Sequence, residues 1–250
     1  MSLIMGFVTP EFVMICGDKR ICRNGNIHSE DFRKVYYFND NIILGFAGKV
    51  IRNFEFISEY LQDFNLLSDE SYKIDYNITE NISFQELSEA LTLKLENAKK
   101  EYEESHVSPD IEIMIGTVSN GESIMRRFYI LDDKIGIDES REEEGALAYL
   151  IFGNELQESL LNQELASVEK LTINNLQSVF QEVLNVAADS DAGINKNMNA
   201  VFIENKHDVT GQLIPGTETP VGMKAGILSG KIKIECQKVE CFNCPDDYYA

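Results

Sequence analysis

Residues 12–49 read FVMICGDKRICRNGNIHSEDFRKVYYFNDNIILGFAGK, and the fold is decided by how they are read. The run 12–16 is short and apolar and closes on Gly17-Asp18, the pattern of a buried strand. The run 42–47 has the same character and closes on Gly48. Between them Lys34 precedes Val35-Tyr36-Tyr37-Phe38, a β-favouring run that ends in the turn-type Asn39-Asp40-Asn41. Strand ends therefore present a carboxylate (Asp18), an ammonium (Lys34) and a backbone N–H beside a glycine (Gly48). With a nucleophile among them, these are the parts of a small hydrolytic site.

Working outward, 2–8 reads as a strand and 9–11 as a turn, giving a first hairpin with the run at 12. After Gly48, Val50, Phe54, Ile57, Leu61 and Phe64 share one helical face. Residues 65–82 read as a loop. Ser83-Phe84-Gln85-Glu86 is a capping-box sequence, and the stripe Phe84, Leu87, Leu91, Leu95 and Ala98 carries a helix to about 104. Period two returns at Ile111, Ile113, Ile115 and Thr117. Asn120-Gly121 predicts a hairpin turn into a returning strand at 124–131, followed by a turn at 132–134. The run 146–152 is apolar and ends at Gly153-Asn154. A helix follows over 154–166, and Thr172 caps another whose stripe includes Leu176, Phe180, Val183 and Leu184. Residues 199–204 form a strand.

Paired strands, two helices, paired strands, two helices and a strand make an α+β layered fold rather than a parallel sheet. Two stacked sheets, each covered by two helices, would bury every stripe; the pattern leaves this as one option among several. Residues 1–205 are expected to form the main domain. Residues 206–250 are expected to be a C-terminal extension with short strands and a cysteine-containing tail.

The chain carries a net charge of −20, unevenly spread. Residues 1–55 hold 7 basic and 6 acidic groups, whereas 56–115 hold 4 and 14. Such acidity repels phosphate backbones, so nucleic acid is excluded as the expected partner. No apolar run reaches membrane-span length, and the N-terminus lacks a signal-peptide layout, so a cytoplasmic protein with no membrane partner is expected. The five cysteines, at 16, 22, 236, 241 and 244, are an odd number, which argues against a disulfide framework. Cys236, Cys241 and Cys244 have half of a zinc-site spacing, with His207 the nearest candidate fourth ligand; reduced thiols and no metal or cofactor are the expectation.

The run 13–20, then Lys34-Val35, then Gly45-Phe46-Ala47-Gly48, resembles proteasome β-type subunits. It resembles equally the bacterial proteasome-like protease that works with an unfoldase ATPase. The resemblance is specific at these residues, moderate over 2–205 and absent from about the last 45 residues. It implies the four-layer αββα sandwich of N-terminal-nucleophile hydrolases. It also implies peptide or amide hydrolysis by the first residue of the mature chain, homo-oligomerisation and an ATPase unfoldase as partner. Counting back without gaps from Asp18 puts the nucleophile on Ser2, whose free α-amine, titrating at about 8, would serve as base. By the same resemblance Lys34 favours the ionised hydroxyl, Asp18 holds Lys34, Gly48 supplies the oxyanion donor and Asp191 is the second aspartate. Phe46 would line the pocket for the side chain before the cleaved bond, with Arg20 and Lys49 also on the substrate.

This chain departs from the pattern in places. Serine replaces threonine at residue 2. The segment after the middle strands is Gly153-Asn154-Glu155-Leu156, lacking a serine, and Ile194 stands where another serine is expected. Those departures keep a second class open, a non-catalytic assembly or scaffold subunit of the same fold. A third class, a module built around the C-terminal cysteines, has only their spacing behind it.

Overall fold

Along the first strand and the residue before it, Leu3, Met5 and Phe7 point one way and Ile4 and Val8 the other, because strand side chains alternate. Both sets are fully buried, so the strand is covered on two faces. The structure is a computed structural model, described over residues 2–23, 25–62, 73–105, 110–131, 134–141, 146–205, 224–228 and 231–235. In chain order it runs β1 (Ile4–Val8), β2 (Phe12–Asp18), β3 (Ile21–Arg23), β4 (Asn26–Ser29), β5 (Val35–Asn39) and β6 (Ile42–Gly48). Then follow α1 (Val50–Ile57), β7 (Leu61–Gln62), β8 (Lys73–Ile74), α2 (Tyr76–Thr79) and α3 (Phe84–Ser105). The second half holds β9 (Ile111–Ser119), β10 (Glu122–Leu131), β11 (Lys134–Arg141), β12 (Ala148–Phe152), α4 (Glu155–Leu165) and α5 (Ile173–Ser190). It closes with β13 (Met198–Glu204), β14 (Lys224–Leu228) and β15 (Lys231–Glu235).

One antiparallel sheet has the order β12-β1-β2-β13, the other β11-β10-β9-β6-β5. On the first, Met5, Phe7, Met14 and Cys16 pack beneath α4 and α5 through Leu161, Leu176, Phe180 and Leu184. On the second, Phe38, Leu44, Phe46 and Ile113 pack beneath α1 and α3 through Phe54, Ile57, Leu87 and Leu91. The inner faces meet through Ile4, Val13, Ile15, Val35, Ile43 and Met114. The result is the αββα sandwich. The sheets come close at Gly6, where an added Cβ would fall 2.0 Å from Met125 Sδ. No helix among the described residues is long and apolar enough to cross a membrane.

The expected hairpin turn forms at Asn120-Gly121, with φ of 54° and 82°, both positive as a two-residue turn of this hand needs. Thr172 and Asn154 cap their helices, Thr172 accepting from Asn175 N and Asn154 from Gln157 N. Three expectations need correction. The helix predicted from Val50 towards Phe64 ends at Ile57 and gives way to a 3-10 turn over Ser58–Tyr60. Tertiary contacts override the spacing there: Tyr60 packs edge-on to Phe38 and its carbonyl accepts from Asp75 N. The loop predicted over 65–82 contains β8 and α2, which Asn39 holds by donating to the carbonyls of Thr79 and Ile82. Strand β11 is a further addition: Ile135 and Ile137 stand opposite Ile130 and Phe128, and the strand continues on the ion pairs Arg126–Glu139 and Arg127–Asp138. Strands β3 and β4 are likewise additions to the predicted set. Met1, Phe64, His207, Cys236, Cys241 and Cys244 lie outside the described residues.

Candidate active site

Strand β2 ends on Asp18, whose carboxylate is completely buried. Four hydrogen bonds converge on it. Oδ1 accepts from Leu3 N at 2.9 Å and from Lys34 Nζ at 2.8 Å; Oδ2 accepts from Arg20 N at 3.0 Å and from Lys34 Nζ at 2.8 Å. A carboxylate so satisfied holds two backbone segments and one side chain in place. The remaining hydrogen of the Lys34 ammonium goes to Ser2 Oγ at 2.9 Å. Lys34 is 1 % exposed, and burial pushes its ammonium below the ordinary lysine value, with Asp18 pulling it back up. The Leu3 contact fixes the residue next to Ser2, so the hydroxyl and the ammonium are held in register by one carboxylate.

Across from this corner, β6 ends at Gly48 with φ of +71°, a left-handed conformation that glycine adopts at no steric cost. An added Cβ there would meet Asp110 O and Glu112 Oε2, each at 2.8 Å. Asn53, fully buried on α1, donates from Nδ2 to Ala47 O and accepts from Glu112 N at 2.9 Å. Its carboxamide thus stands between Ala47 and Glu112, which face each other in the β6–β9 register. Since C=O and N–H of a trans peptide point opposite ways, clamping the Ala47 carbonyl also fixes the direction of the Gly48 N–H. Glu112 itself is buried and titrates at about 7, raised first by burial and then by the Asp110 charge.

The profile of the proteasome-subunit family matches residues 2–103. Among solved structures the fold is similar to the Anbu (Gly-1) mutant from Hyphomicrobium sp. strain MC1, with a TM-score of 0.56 and 9 % identity. That alignment covers 82 % of each chain. Residues 2–103 are thus similar to proteasome subunits, and the fold is the αββα sandwich of the proteasome-type hydrolases. Eukaryotic HslV from Trypanosoma brucei also aligns, with a TM-score of 0.49 and 15 % identity over 81 % of this chain and 99 % of that one. No curated protein matches the sequence.

Of the residues predicted for the site, the fold brings Ser2, Asp18 and Lys34 into direct contact. Gly48 lies at the end of β6, the strand that pairs with β5 immediately after Lys34. Asp191 ends α5 and its Oδ1 accepts from Gly193 N at 2.7 Å within its own loop. Arg20 is committed elsewhere: Nε and Nη2 form a fork on Glu30 at 3.0 and 2.9 Å, and Nη1 donates to Ala192 O at 2.7 Å. That fork raises the Arg20 pKa and lowers that of Glu30. Phe46 is 2 % exposed and packs on Phe54 and Tyr36 beneath α1. Lys49 is exposed and pairs with Asp110 at 2.7 Å.

Sequence reasoning misses Asn53, Glu112 and Asn195. Buried Asn195 accepts from Lys19 N at 3.0 Å and donates to Glu30 O and Oε2, tying the end of β2 to the loop before β5. A lone asparagine in a polar loop sends no signal of such a role. Asn154 and Ile194, which stand where serines are expected, cap α4 and fill the core under α5 respectively.

Proposed function

We propose that this proteasome-type chain is an amide-bond hydrolase, a peptidase, with Ser2 as nucleophile once Met1 has been removed. The observation that carries the reading is the 2.9 Å contact of Lys34 Nζ with Ser2 Oγ, made by an ammonium that Asp18 grips with both oxygens. An ammonium at that distance stabilises the developing alkoxide. The free α-amine of Ser2 takes the hydroxyl proton as Oγ attacks the carbonyl carbon. The oxyanion formed is held by the Gly48 N–H, and such a donor is worth roughly 3–4 kcal/mol of barrier in other enzymes. Collapse breaks the C–N bond and returns the proton to the leaving amine; water then cleaves the acyl ester and regenerates the hydroxyl. In this reading 1–205 is the working domain, Asp191 orders the loop behind the site, and Arg20, Phe46 and Lys49 shape its substrate side. Homo-oligomeric assembly and an unfoldase ATPase partner belong to the same proposal.

Intact-mass spectrometry tests it. Protein made from the natural gene is expected to lack Met1 and to gain the mass of a β-lactone probe on residue 2. Persistence of Met1 with no adduct would sink the peptidase reading. A second reading, a non-catalytic assembly subunit of the same fold, is favoured by Asn154 and Ile194 being built into a cap and a core. Light scattering that finds a large ring without peptide hydrolysis would support it, and a hydrolytic monomer would end it.

A further inference from the structure

The proposed mechanism uses one buried carboxylate, yet a second stands at the site. Glu112 is 9 % exposed, and its side chain lies on the inner face of the second sheet, with Ala47 opposite on β6 and Tyr129 opposite on β10. Its Oε2 lies 2.8 Å from where a Gly48 Cβ would be, so glycine at 48 leaves room for the carboxyl. The nearby side-chain cations pair with other carboxylates: Lys34 with Asp18, Lys49 with Asp110 and Arg127 with Asp138. Arg127 also donates to Ile151 O. Among the described residues the Glu112 carboxyl has no hydrogen-bonding partner, whereas its backbone N–H is fixed by Asn53. Burial and the nearby Asp110 charge favour the neutral form of this carboxyl, which carries an O–H of its own.

We propose that protonated Glu112 is a second hydrogen-bond donor to the oxyanion, beside the Gly48 amide, so that cleavage requires the neutral acid. The proposal rests on the peptidase reading above. A neutral carboxylic acid in an apolar site is a known way to present an O–H to a developing anion. Ionised, the same group would set a negative charge against that anion. The charges that face it are Asp110 at the start of β9, Arg127 on β10, Lys34 before β5 and the chain's amino-terminal charge; Tyr129 is its cross-strand neighbour. Burial leads and Asp110 adds to it, so the acid loses its proton at about 7 rather than in the ordinary carboxylate range. The Ser2 amine, ionising at about 8, needs the opposite change. The two titrations together make a bell-shaped rate profile.

The test is the rate of β-lactone acylation of Ser2 in the full chain from pH 5.5 to 9, followed by intact mass, for wild type, Glu112→Gln and Glu112→Ala. Wild type is expected to pass through a maximum and fall on the alkaline side. Glu112→Gln keeps an N–H donor and cannot ionise, so its rate should stay within about tenfold of wild type near pH 6.5 and reach a plateau instead of falling. Glu112→Ala should be slower by about 10²–10³-fold, the usual loss for an oxyanion donor. An alkaline fall that persists in Glu112→Gln, or Glu112→Ala reacting as fast as wild type, overturns the proposal and leaves the peptidase reading standing. Wild type that lacks Met1 yet forms no adduct at any pH takes down the peptidase reading, and this proposal with it.

Discussion

The two carboxylates at the site differ in every respect except burial. Asp18 receives four hydrogen bonds, two of them from an ammonium, and anchors the start of the chain. Glu112 receives none at its carboxyl from the described residues, and burial lifts its proton affinity until it titrates at about 7. The first is charged scaffolding; the second is a group whose charge changes where proteins work. Two buried carboxylates thus have opposite chemistry, because a buried charge is tolerated only where donors replace water.

Asp18→Asn should break the contrast hardest. It leaves the Lys34 ammonium buried and uncompensated, and denaturant unfolding is expected to show a loss of about 3–5 kcal/mol. Glu112→Gln should do the reverse, with a pH dependence that identifies the cause. The folded protein holds the Glu112 proton more tightly than the unfolded chain, so wild-type stability falls as pH rises from about 4.5 to about 7 and is level above. Glutamine removes that slope. The variant should match wild type near pH 4 and exceed it at pH 8 by up to about 3 kcal/mol, since each tenfold gain in proton affinity corresponds to ~1.4 kcal/mol. Equal stabilities of the two at pH 8 would mean that Glu112 is not held neutral by burial.

Gly48→Ala sharpens the Glu112 side. A side chain there combines a positive φ with close approach to Asp110 O and Glu112 Oε2, and thermal unfolding should register a cost on the order of 1–3 kcal/mol. Lys49→Ala marks the lower bound: its pair with Asp110 is half exposed on the lysine side, so less than about 1 kcal/mol is expected by the same measurement.

The Asp18 corner is legible in the sequence and the Glu112 corner is not, for a physical reason. Asp18, Lys34 and Gly48 sit where apolar runs start or stop, and a charge or glycine at such a boundary stands out. Glu112 sits inside Ile111-Glu112-Ile113, where alternation reads the polar residue as facing water. That inference holds for a sheet with one wet face, but the inner face of this sheet is covered by the other sheet, so the odd position is buried as well. Asn53 is hidden likewise: a polar residue on a short helix reads as solvated, and its task becomes visible only when β9 arrives from 59 residues further along to meet it. Strand β11 escapes because only Ile135 and Ile137 alternate in it, and the arginine–carboxylate pairs that follow carry no apolar period.

The most direct test of the central claim, that the buried Lys34 ammonium activates the Ser2 hydroxyl, is the β-lactone acylation rate at residue 2 in wild type against Lys34→Met. The methionine keeps the apolar stem and removes the charge. The account predicts a mass adduct confined to Ser2 in wild type and a rate lower by about 10²-fold or more in the variant. Equal rates in the two proteins, or an adduct on another residue, would contradict it.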